Sequence, residues 1–227
     1  MMHIHKSSNI QPHFYSLCGT ILKTVNKEKY LGVNLQEDMK WSTHTDELTA
    51  TASRKLGFLK RNLRGAPANC KRLAYISLIR SGMEYASSIW DPHVKRNVDQ
   101  LEGMQRRAVR WIVSKYSRTT SVTQLLKDLK LEPLEERRKA LRLTLLYKIV
   151  HGKVSIKIDE VDLIYTERPA RGKDANTKKF RTIRARSDEY KYSFIVRTIP
   201  EWNQIPNSVV HASSEALFKS QLLSPSP

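Results

Sequence analysis

The chain of 227 residues and 26.3 kDa is long enough for one large or two small domains around a buried core. Its 40 Lys and Arg against 22 Asp and Glu leave a net charge of +18, while 40% hydrophobic residues, with nine Tyr, five Phe and four Trp, exclude wholesale disorder. A folded core under a cationic exterior follows, and the polyanions such an exterior meets in a cell are nucleic acid and anionic membrane.

The first residues read as strands. Phe14 to Leu17, Thr20 to Val25 and Lys29 to Leu35 are rich in β-formers, with Gly19 and Asn26-Lys27-Glu28 as turns, so a hairpin and a third short strand are expected in a segment 1–40. From Trp41 the period changes to 3.6. Leu48, Ala52, Leu56, Leu59 and Leu63 form one helical stripe, Thr43 is placed to cap it, and Gly65-Ala66-Pro67 stops it. A second helix starts at Pro67; its Leu73, Ala74, Ile76, Leu78 and Ile79 leave little polar surface and predict the central, most buried helix, ended by Asp91-Pro92. A third, from His93 to Trp111, carries the stripe Val94, Val98, Leu101, Gln105, Ala108 and Ile112.

Three helices in series with short connections predict an antiparallel bundle over 41–118. Between Arg54 and Arg118 it carries fifteen basic residues and four acids. A short helix over Ser121 to Leu129, capped by Thr120 or Ser121, and a longer one over Pro133 to His151 make up an extension, 119–152. The stripe of the longer helix is Leu134, Leu141, Leu145 and Ile149, widened by Leu143, Leu146 and Val150. The last segment, 153–227, reads as basic and loop-rich, with ten basic residues against three acids from Arg168 to Arg197 and a final short helix capped by Ser213 or Ser214. The fold class is therefore mainly α, with short N-terminal strands.

No apolar run approaches the roughly 20 residues of a membrane span, and Met1 to Lys6 is polar, with no signal region. The expectation is an intracellular protein, nuclear or cytoplasmic, with no membrane partner. Cys18 and Cys70 predict buried thiols rather than a disulfide, and no short Cys/His spacing suits a zinc site.

There is no phosphate-binding glycine loop, no His-Glu-x-x-His, no nucleophile elbow and no Asp-Asp pair. Glu135-Glu136 and Asp159-Glu160-Asp162 read as a helix start and a solvated loop, and His44 and His93 as polar residues at helix starts. Neither a catalytic set, a metal nor a cofactor is therefore expected. Arginines interleaved with aromatics stand out instead: Trp111 and Tyr116 near Arg106, Arg107, Arg110 and Arg118, and Phe180 and Tyr192 in the later cluster. Such a surface suits sequence-independent contacts to phosphates.

Several segments, in order, carry a family resemblance: Lys29-Tyr30-Leu31-Gly32-Val33, Trp41-Ser42-Thr43-His44, Leu56-Gly57-Phe58-Leu59-Lys60-Arg61-Asn62-Leu63, Glu84-Tyr85-Ala86-Ser87-Ser88-Ile89-Trp90-Asp91-Pro92, Leu134-Glu135-Glu136-Arg137-Arg138, and Ile199-Pro200-Glu201-Trp202-Asn203. Together they resemble the C-terminal part of a reverse transcriptase of non-LTR (LINE-type, jockey-like) retrotransposons. The resemblance implies a primer-grip hairpin at the palm and thumb junction, near Tyr30, Leu31 and Gly32, followed by a helical thumb and a C-terminal extension. It also implies that the catalytic Asp-Asp motif of the palm belongs to a portion not found in these residues. Arg61, Arg64, Arg106, Arg107 and Arg110 are expected to contact the backbone of an RNA/DNA duplex, on charge and helix face alone. The alternative is a helical module that docks on a polymerase core or another protein without any nucleic-acid role.

Overall fold

The computed structural model describes residues 2, 14–117, 119–157, 163–166 and 176–223. Two antiparallel ribbons come first: Ser16–Leu17 (β1) with Thr20–Ile21 (β2), and Lys27–Tyr30 (β3) with Val33–Gln36 (β4). The second one corrects the expected third strand over 29–35. The chain reverses inside that run, at Leu31 (φ 46°) and Gly32 (φ 86°), and the expected turn at Asn26-Lys27-Glu28 instead leads into β3. Two successive positive φ values make a two-residue turn whose twist matches the strands, and Gly32 is what makes it accessible. A Cβ at Gly32 would also stand 3.3 Å from the Tyr85 ring. β4 carries Val33 into the core.

Four helical segments follow: Ser42–Asn62 (α1), a continuous helix over 68–84 (α2), Ser87–Trp90 (α3) and Lys95–Ile112 (α4). α1 begins after Trp41 with no side-chain cap, so Thr43 lies inside the first turn rather than capping it. Side-chain contacts give the directions. Asn97 meets Ser42, Gln100 meets Asp46 and Thr49, and Met104 meets Ser53, so α1 and α4 run parallel. Tyr75 meets Gln105 and Lys71 meets Ser114, so α2 runs the opposite way between them in sequence, as an up-down-up bundle requires.

The middle of α2, Tyr75–Arg80, is π-helical. The wider turn puts Lys71, Tyr75, Ile79 and Met83, four residues apart, on the core side. It also corrects the expectation that this helix is the most buried one: Leu73 and Leu78 face outward, and Ile76 is half-buried. Cys18 and Cys70 are likewise exposed rather than buried. Cys18 sits in the β1–β2 turn and Cys70 in the first turn of α2, where few side chains cover it.

Val122–Asp128 (α5) is capped by Ser121, whose Oγ accepts from the Gln124 backbone N–H. Leu134–Val150 (α6) then links two cores. Leu134 closes the first, around Leu56, Tyr75, Trp90, Leu101, Met104 and Ile112. Leu143, Leu146, Tyr147 and Ile149 open the second, which gathers Phe180 from the chain before Asp188–Lys191 (α7), and Trp202, Val210 and Phe218 from Phe194–Trp202 (α8), Asn207–Val210 (α9) and Glu215–Leu223 (α10). On α6, Leu141 and Leu145 of the expected stripe are only half-buried, because Arg138 and Arg142 take the interior positions. The expected last helix is present, with the Ser214 Oγ accepting from the Leu217 backbone N–H. Asp159-Glu160-Asp162 and the tail after Leu223 lie outside the described residues.

Between the cores lies a buried ion cluster. Asp91 receives Arg138 Nε at 2.8 Å, Arg142, and Arg197 at 3.3 Å, while Arg142 also reaches Glu201. A buried carboxylate with three guanidiniums survives only because each partner offsets the others' desolvation.

Candidate nucleic-acid interface

The α1–α4 pair builds a cationic face. Residues 53, 57 and 60 fall on the flank of α1 that meets α4, by helical periodicity, while Arg64 lies in the turn after the helix ends at Asn62. On α4 the facing arginine is Arg107, whose Nη2 lies 3.4 Å from Ser53 Oγ and 3.2 Å from Met104 Sδ. Lys60, Arg64 and Arg107 are exposed, so this flank presents charge directly to solvent. Arg61 lies on the outer face of α1; a Cβ on Gly57 would stand 3.7 Å from its Nη1, so the guanidinium folds back over the glycine. Gly103 serves Arg106 in the same way, at 3.6 Å.

Arg110 is half-buried and donates to the Tyr116 and Ser117 carbonyls at 3.5 and 3.3 Å. It thereby ties the chain after α4 to the helix end. Arg106 donates to the Asp99 carbonyl at 3.3 Å, and at 100° per residue it stands round the helix from Arg107, away from α1. The structure thus brings Arg61, Arg107 and Arg110 onto the C-terminal halves of two parallel helices, with Arg64 in the turn just after α1 and Arg106 on a neighbouring face.

Tyr30, Leu31 and Gly32 sit elsewhere. Their hairpin tip is fastened by Tyr85, whose hydroxyl donates to the Leu31 carbonyl at 3.0 Å, and Lys55 of α1 meets Leu78 one to two turns before Tyr85. The tip therefore lies on the α2 side of α1, roughly 15–20 Å along the helix axis from Arg61 and Arg64 at 1.5 Å per residue. Tyr30 and Leu31 are both exposed. The base of the hairpin is anchored where His44 Nδ1 accepts from the Asn34 backbone N–H at 3.3 Å and Glu47 accepts from Lys27 and Asn34 at 2.8 and 2.9 Å. Those two bonds hold the Glu47 carboxyl below the usual range, and burial lowers the His44 pKa.

Two of the expected stacking aromatics are not available to a base. Trp111 and Phe180 are buried, because each completes a hydrophobic core that the basic residues around them in sequence conceal. Tyr116 is exposed, and Tyr192 is stacked on His93 with centroids 3.7 Å apart. His93 is thus a packing residue, its pKa lowered by burial first and by Arg197 second.

The buried arginines were the residues that sequence reasoning missed. Their signal was present as Arg138 and Arg142, four apart on the interior stripe of α6, and as Asp91 directly after the buried Trp90. Among the described residues, no group of three or more His, Cys, Asp or Glu converges on a metal-sized space, and no helix is long and apolar enough to cross a membrane. Neither known family models, curated proteins nor solved structures give a match to this chain.

Proposed function

We propose that the chain is a duplex-holding, non-catalytic C-terminal part of an RNA-directed DNA polymerase of the non-LTR retrotransposon kind, binding the RNA/DNA backbone without sequence preference. One observation carries this reading: Lys60 and Arg107 fall on the flank where two parallel helices meet, with Arg61 and Arg110 beside them and Arg64 in the turn just after α1, and no carboxylate is bonded to any of these arginines among the described residues. Charge on that scale costs self-repulsion unless a polyanion relieves it. The ordered sequence resemblance supplies the nature of the polyanion. A polymerase core holding the palm and fingers is the implied partner, and the compartment is nuclear or cytoplasmic.

Binding of a labelled RNA/DNA hybrid across a salt series tests the reading. Three to five phosphate contacts give a slope of log affinity on log salt of about −3 to −4.5, and Arg64→Ala with Arg107→Ala flattens it by about 2. A hybrid affinity indifferent to salt, or unchanged in that double variant, refutes it. Primer extension by the chain alone with magnesium would refute the non-catalytic part.

A further inference from the structure

The other flank of α1 differs in kind. Toward α2, Phe58 is 56% exposed, Leu78 51% and Tyr85 58%, three large side chains on the α1–α2 side. Lys55, one turn before Phe58, donates from Nζ to the Leu78 carbonyl at 3.0 Å, and two turns after Leu78 the Tyr85 hydroxyl reaches Leu31, itself 74% exposed. Between Leu78 and Tyr85 the floor is low: a Cβ on Gly82 would meet only Lys55 Nζ, at 3.7 Å. The result is a seam of exposed apolar side chains running from Phe58 to the hairpin tip, crossed by Lys55 where its ammonium reaches the Leu78 carbonyl.

We propose that this seam docks an acidic amphipathic helix of a partner protein. Both walls are helices whose backbone groups are engaged within the helices, so a strand cannot add to them, whereas a third helix can lay its side chains into the groove between two others. The occupant's charge follows from the rim. Lys29 and Arg54 border the seam and Lys55 crosses it, all three exposed, while the Glu47 carboxylate is occupied by Lys27 and Asn34. A partner with apolar residues at i, i+3 or i+4 and i+7, flanked by Asp or Glu, meets both the floor and the rim. Nucleic acid fits less well, since its interfaces with protein are more polar than a Phe-Leu-Tyr floor. The inference is independent of the duplex reading, which uses the opposite flank.

Helix-forming peptides of about 14 residues, displayed as a random library and selected on the full chain, test it. The expected result is enrichment of acidic peptides with helical apolar period, whose affinity falls at least about tenfold in the Phe58→Ser/Leu78→Ser variant. Affinity of the same variant for an RNA/DNA hybrid stays within about twofold, as for independent sites. Arg54→Glu, at an exposed position that leaves the floor intact, weakens the selected peptides as well. No enrichment, enrichment of basic or extended peptides, or peptide affinity unchanged in either variant overturns the proposal. So does a tenfold loss of hybrid affinity in the double variant, which would put the duplex in the seam.

Discussion

The bundle and the C-terminal extension that holds the second core are held together differently. In the bundle, long helices bury Leu56, Leu59, Ile79, Leu101 and Met104 against one another, and their interior polar contacts include a short chain from the Tyr75 hydroxyl to Gln105 and on to the Glu132 carbonyl. In the extension, short helices enclose large rings, and side chains act as substitutes for missing secondary structure. Asn203 accepts from the Phe180 N–H and donates to its carbonyl, as a neighbouring strand would, while Trp202 Nε1 and Asn176 Nδ2 donate to the Lys178 and Trp202 carbonyls. Tyr147 closes the far side by donating to the Ala212 carbonyl at 2.7 Å. Regular helices satisfy their own backbone and need only packing; irregular chain must import its partners, one side chain at a time.

The sharpest perturbation strikes the joint between the two regions. Asp91→Ala leaves Arg138 and Arg142 buried, and Arg197 half-buried, with Glu201 as the remaining carboxylate, and is expected to cost about 3–5 kcal/mol in urea unfolding, affecting both regions together. If the probes of bundle and extension then unfold at different urea concentrations, the cluster is the element that couples them. Within the bundle, Ile79→Ala should cost about 2–5 kcal/mol through its cavity. Asn203→Ala, which removes little apolar area, is expected to cost about 1–3 kcal/mol by stranding the Phe180 backbone groups. Its hydrogen-exchange signature should be confined to residues 176–223. Exchange spread evenly over the bundle would break the contrast drawn here. The smallest effect is expected from acid. His44, His93 and His151 all have pKa values lowered chiefly by burial, so the folded state binds fewer protons than the unfolded one. Stability is complete above the ordinary histidine value near 6.5 and is expected to decline as the pH falls through it, in a thermal melt series from about pH 8 to 5.

The same contrast decides what could be read from the sequence. The three bundle helices and α6 were legible because packing alone specifies them, and packing writes a 3.6-residue period. α7 and α8 fell in a stretch that reads as basic loop, because their stability rests on Asn203, Trp202 and Arg197, whose partners lie about 20 to 106 residues away. Leu31 misled for a local reason: an apolar residue inside an alternating run occupies a turn position that its side chain does not advertise. At the candidate interface, charge and helix face identified Arg61, Arg64 and Arg107 as exposed cations, and the up-down-up order already implies that α1 and α4 run parallel, but no pattern reveals the register that sets Arg107 beside Ser53. Phe58 and Leu78 escaped notice because an apolar residue beside a core stripe looks like core; the π-helical turn in α2 puts Leu78 outside it.

The double duty of α6 has a consequence for the order of synthesis. A chain growing from its N-terminus completes the bundle, including Leu134, once α6 has emerged, but Leu143, Leu146, Tyr147 and Ile149 then have no cover until Trp202, Val210 and Phe218 arrive. At about 5–20 residues per second, that interval lasts several seconds. Arg138 and Arg142 can bond Asp91 as soon as α6 forms, whereas Glu201 and Arg197 join the cluster later. The nascent protein therefore carries an open apolar face on an already folded body, and the final stretch of chain acts as the intramolecular cover that closes it.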